Sequence, residues 1–146
     1  MSREDALLEI YERIKADRTV LEVKTFKRTP TAPIQQADLP CIFMLEGIDK
    51  ITKLSARGNT GYPAQRVLEV VIELVTTEKT DIKALYKLVR STVFSVKGVT
   101  PKVYNSRLAE DAFINENRTE GPIGYGLPDV LGMRLVLDLF YTDNGF

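Results

Sequence analysis

Glu69 and Glu73 are the best pair of carboxylates in the chain, and glycoside hydrolysis is the chemistry that two such groups would serve. On one strand they stand roughly 13 Å apart, four residues at about 3.3 Å each. Glycosidase pairs are held about 5–9.5 Å apart, so this pair is too wide. A mixed Val/Glu strand face is the simpler reading. Asp111, Asn115, Glu116 and Asn117 are oxygen-rich but lack the spacing and the glycine of an EF-hand loop. Asn117-Arg118-Thr119 fits a glycosylation sequon, which is idle without secretion. The chain contains no histidine and one cysteine, Cys41. Ser-His-Asp and Cys-His catalysis are therefore closed off, together with histidine-containing zinc sites and thiolate clusters. Cys41 heads an apolar run and reads as a buried structural thiol. The expectation is no catalytic residue, no metal ligand and no cofactor.

Two glycine-rich stretches remain, "RGNTGYP" at 57–63 and "RTEGPIGYGLP" at 118–128. Neither matches GxxxxGK[ST] or GxGxxG, and both run into strand-patterned segments, where a phosphate loop needs a helix N-terminus. Glycine permits positive φ and tyrosine supplies a rigid contact, which suits turns and interfaces. Arg57, Asn59 and Tyr62 in the first loop are candidate protein contacts, as are Glu120, Ile123 and Tyr125 in the second, with Asp129 just beyond.

Lys79, Lys83, Lys87 and Arg90 recur on one face of a predicted helix, where a solvated face is the plain alternative. Residues 54–100 carry seven basic and four acidic side chains, and residues 101–146 carry four basic and seven acidic. That split suits a head-to-tail contact between Lys83, Lys87 and Arg90 of one subunit and Glu116, Glu120 and Asp129 of the next.

The elements that must place these residues follow from periodicity. Leu7, Ile10, Tyr11 and Ile14 predict a helix over 3–17, capped by Ser2. A short strand is expected around Val20–Lys27, and Pro30, Pro33 and Pro40 make the next stretch extended. "CIFML" at 41–45 suits a buried strand that residues 48–53 continue. Residues 65–77 alternate, with Leu68, Val70, Ile72 and Leu74 facing one way. Thr80 is expected to cap a second helix with the stripe Ile82, Leu85, Leu88 or Val89, and Val93. Residues 112–117 form a weaker strand. In the closing strand, 129–142, Leu131, Met133, Leu135, Leu137, Leu139 and Tyr141 share a face. The predicted fold is one α+β domain over 1–146: a two-layer sandwich whose mixed or mostly antiparallel sheet has four to five strands, with two long helices on one face.

The last strand spans roughly 46 Å, against a diameter of about 38 Å for a compact chain of this length. It must bend or project, and a projecting strand offers backbone groups to another chain. Basic and acidic residues balance at 20 each, so no overall field favours nucleic acid or an anionic membrane. No segment reads as a signal peptide or a membrane span, and a reducing folding environment is expected.

The order of the helix, the strand introduced by "LPCIFML", the alternating "RVLEVVIELVTTE", the helix "TDIKALYKLV" and the closing "MRLVLDLFYTD" resembles the tail terminator (tail completion) proteins of tailed bacteriophages. The resemblance spans nearly the whole chain. It implies a homo-oligomeric, hexameric ring that caps the tail tube, stops its polymerisation and offers a surface to the head connector. The implied partners are further copies, the tail tube protein, connector or neck proteins and, in a contractile tail, the sheath. DNA would pass through without specific recognition. The implied location is the virion, and the host cytoplasm during assembly. Other phage neck proteins and the caps of tail-like injection systems share the pattern. Rival readings are a small ligand-binding regulatory domain, which needs a concave apolar pocket, and an enzyme using carboxylates, Lys83 or Tyr125, which needs a strongly perturbed pKa in a cleft.

Overall fold

The computed structural model describes residues 3–16, 23–28, 36–54, 63–77, 81–94, 105–108, 112–124, 126 and 129–143. In chain order they form α1 (Arg3–Ala16), β1 (Thr25–Lys27), a 3-10 turn (Gln36–Asp38), β2 (Cys41–Leu54), β3 (Ala64–Thr77), α2 (Ile82–Phe94), β4 (Asn105–Arg107), β5 (Phe113–Gly124) and β6 (Val130–Asp143). The strands make one sheet in the order β1-β2-β3-β6-β5-β4. The β1–β2 pair is parallel, and every other pair is antiparallel.

Alternation sets the centre of this sheet. Leu68, Val70, Ile72 and Leu74 of β3 lie opposite Leu139, Leu137, Leu135 and Met133 of β6. The same face continues through Ile42 and Met44 of β2 and Ile114 of β5, and both helices close over it. α1 contributes Ala6, Leu7, Ile10 and Ile14, while α2 contributes Ile82, Leu85, Tyr86, Val89 and Val93. A smaller cluster, Leu39, Cys41, Phe43, Val75 and Val130, lies apart from it.

The structure corrects the predicted two-layer sandwich of four to five strands. Strands take 60% of the described residues, and the six strands curl into a half-barrel with only two short helices. The missed strand is β4, three residues and too short to carry an alternating pattern, whereas β1 occupies the end of the strand expected around Val20–Lys27. β5 runs on through Gly124, so most of the expected loop at 118–128 is strand. Gly121 makes that possible. It sits at φ 95°, within a register irregularity between Glu120 and Ile123, and a Cβ there would meet the Gly132 carbonyl oxygen at 2.8 Å. Asp81 caps α2, its carboxylate accepting from the Ala84 N–H, whereas Thr80 lies outside the described residues. Val89 takes the buried position of the stripe and Leu88 faces out, 49% exposed.

Polar ties fix α1 to the sheet. Asp49 of β2 accepts from the Arg3 guanidinium at 2.9 Å and from the Tyr141 hydroxyl, with Arg66 at 3.7 Å. Burial, and then the Asp49 hydrogen bond, push the Tyr141 phenol well above its ordinary range. Near the other end of α1, Arg13 donates to the Val93 and Arg107 carbonyls at 2.8 Å and to the Ser106 hydroxyl at 2.9 Å. It thereby satisfies a carbonyl in the last turn of α2.

Ile72 is fully buried between helices and sheet, while Ile51 is 51% exposed on β2. Ile72→Ala should therefore cost about 2–5 kcal/mol, and Ile51→Ala should stay within about 0.5 kcal/mol. Urea unfolding of the two variants against the wild type measures both.

Candidate interaction surface

α2 and β5 meet through a polar cluster. Tyr86 projects from the buried side of α2, and its hydroxyl bonds to Glu116 and Thr119. Arg90, one turn on, donates to Glu116 at 2.8 Å. Burial is the main cause that raises the Tyr86 pKa, the Thr119 hydrogen bond opposing it. Glu116 and Arg90, expected to meet across a subunit boundary, thus meet within one chain. Lys83 and Lys87 lie exposed on the outer side of α2.

The helix-free face of the sheet carries alternating charge. Glu73 and Arg134 are cross-strand partners, as are Arg134 and Glu120. Contacts run Glu73–Arg134 at 3.1 Å, Arg134–Glu120 at 3.6 Å, Glu120–Arg118 at 2.8 Å and Arg118–Glu69 at 3.7 Å. The hydrogen bond from Arg118, then the charge of Arg134, hold the Glu120 carboxyl below the usual carboxylate range. Asn117 donates to Asp138 at 3.1 Å. Glu69, Glu73 and Glu120 therefore each sit against an arginine. Cys41 is buried, and loss of solvation pushes its thiol up to about 12.

The sheet's edges are the third feature. β1 covers β2 only at Cys41–Phe43, and β4 covers β5 only at Phe113–Asn115. Among the described residues, β2 from Met44 to Leu54 and β5 from Glu116 to Gly124 have no strand on their outer side. Each free edge carries exposed apolar side chains. On β2 these are Ile48 at 64%, Ile51 and Leu54; on β5 it is Ile123 at 50%. Two register shifts in β2, between Glu46 and Asp49 and between Ile51 and Lys53, set the first group. The second shift places Ile51 and Leu54 on one face, although they are three residues apart in a strand.

The predicted contacts thus fall in several places. Glu116, Glu120 and Ile123 lie on β5, Glu116 bound to α2 and Glu120 in the charge ladder. Asp129 is exposed in the turn before β6, at φ 60°, a conformation that Asp tolerates better than most residues. Arg57, Asn59, Tyr62 and Tyr125 lie outside the described residues, as do Lys79 and Asp111. Sequence reasoning passed over Ile48, Lys50, Ile51, Lys53 and Leu54. Their signal was three large apolar residues at spacing three inside a strand, which only bulges explain.

Two small clefts lie among the described residues. One of about 180 Å³ is lined by Lys53, Leu54, Pro63, Gln65 and Thr142. Another, of about 150 Å³, lies beside the stacked rings of Phe113 and Phe140. Ligand pockets hold about 300–1,000 Å³, so each of these fits a side chain rather than a cofactor.

No protein-family model matches the chain, and no curated protein matches it. Among solved structures, a chain in the virion of a native gene transfer agent particle superposes with a TM-score of 0.56. The two chains share a fold. The match covers 93% of this chain and 93% of that one, at 14% sequence identity.

Arg90→Ala strips a partly buried carboxylate of its cation and should lower the unfolding free energy by about 1–3 kcal/mol. Lys87→Ala, on the exposed side, should change it by less than about 0.5 kcal/mol, as chemical denaturation will show. The Cys41 thiol should resist alkylation at pH 8 in the native chain and react once the chain is unfolded in urea. Its raised native pKa also means that stability is retained below the ordinary thiol pKa of 9.0 and falls as pH rises from there towards about 12.

Proposed function

We propose that the chain is a structural subunit of a phage or phage-like virion. On this reading it closes into a hexameric ring on the tail tube, ends tube polymerisation and presents a surface to the head connector. Its work is assembly and involves no turnover. The observation that carries the proposal is the fold shared, over 93% of both chains, with a subunit of a gene transfer agent virion. The order of patterned segments, which resembles tail terminators, points the same way. So does the sheet: its described residues leave two long, partly apolar edges without a neighbouring strand, and such edges are prone to pair with other chains. A closed ring uses such surfaces without leaving any open.

The test is the mass of the purified chain and its presence in particles. Native mass spectrometry should show a species six times the 16.4 kDa chain, and the protein should co-sediment with tailed particles. A chain that stays monomeric at all concentrations and is absent from particles would overturn the proposal.

A further inference from the structure

The two free edges lie at opposite ends of one sheet, as a head-to-tail contact between copies requires. Their directions also fit. From β2 to β5 the sheet takes three antiparallel steps, through β3 and β6, so β2 and β5 run opposite ways. A second copy, related by a rotation that keeps the strand directions roughly the same, therefore brings its β2 antiparallel to the first copy's β5. Every long pair in the sheet already has that geometry.

Heights along the strands decide the register. Through the ladders, the free part of β2 lies level with β3 residues Ala64–Ile72, and the free part of β5 lies level with Val70–Thr76. The edges are offset by about five residues. Facing residues must share a side of the sheet, so the register shift is even, about four or six. Six brings two pairs together at once. Lys50 then stands opposite Glu120, both on the helix-free face, since Lys50 faces Val67 and Glu120 faces Arg134. Ile123, level with Val75, then comes to the Gly47–Ile48 bulge, uniting the most exposed apolar residues of the two edges. A shift of four sets Lys50 against Arg118 and takes Ile123 away from the bulge.

The offset also suits closure. Six residues at about 3.3 Å make about 20 Å along the strands, against about 19 Å across four strands at about 4.8 Å. The strands would tilt by about 45°, near the top of the usual range of about 35–45° for closed sheets.

We propose that the outer edge of β2 in one copy pairs antiparallel with the outer edge of β5 in a second copy, with Lys50 opposite Glu120 and Ile48 against Ile123. This rests on the reading of the chain as a ring subunit and names the surfaces that close the ring.

The experiment uses the full chain. Ile48→Arg and Ile123→Arg each place a charge in the contact, and unfolding midpoints show that both variants fold. Each alone should weaken self-association at least about tenfold. Mixed in equal amounts they should form dimers and nothing larger, because one intact β2 edge then meets one intact β5 edge. In a Cys41→Ala background, the double variant Lys50→Cys/Glu120→Cys should give an oxidised ladder up to the full ring, while either single cysteine variant should not. If the wild type assembles and the arginine variants assemble equally well, or the double-cysteine ring forms without cross-links, this contact is wrong and the ring reading survives. If the wild type does not assemble at all, the ring reading falls and this contact falls with it.

Discussion

Every residue of β3 pairs with a residue of β6, from Ala64 opposite Asp143 to Thr77 opposite Val130, with no shift in register. The rest of the chain is arranged around that pair. Because the side-chain period of a strand is two, one unbroken register commits Leu68, Val70, Ile72 and Leu74 to the same face as Leu139, Leu137, Leu135 and Met133. That face is the floor on which both helices close. The opposite face is committed with equal force, so Glu73 meets Arg134 and the ion pairs of Glu120 and Arg118 build outward from there. A slip of one residue would send charges into the core and leucines to the surface.

Irregularity begins where that central pair ends. β2 and β5, the strands next outward, each contain two register shifts, whereas β3 and β6 pair with none between them. Bulges bend a strand and re-aim its side chains, and they concentrate at sheet edges. Here they accompany the curl of the sheet and turn Ile48, Ile51, Leu54 and Ile123 outward. The sheet thus has a regular centre that holds the fold and irregular flanks whose outer edges are unpaired over most of their length among the described residues.

Much of the centre was legible in the sequence. The alternation in 65–77 and 129–142 is unbroken, so face and orientation could be read directly, and the apolar spacing marked both helices. The flanks were not legible, for identifiable reasons. Glycine and proline at 121–124 signal a turn, but Gly121 instead occupies a strand irregularity beside the Gly132 carbonyl. β4 is defined by its pairing with β5, since three residues carry no period. Glu116 and Arg90 are 26 residues apart, and only the packing of α2 over the sheet brings them into contact. Charge counting along the chain assigned such residues to a neighbouring subunit, when the first partner within reach was in the same molecule.

Hydrogen–deuterium exchange of the isolated chain against the assembled form tests the account most directly, because free edges are by definition rows of unprotected amides. Outward-facing amides in 44–54 and 116–124 should exchange quickly in the isolated chain and become protected together on assembly. Those of β3 and β6 should be protected in both states. Assembly that leaves both edges exchanging freely, while protection rises only over the helices, would contradict it.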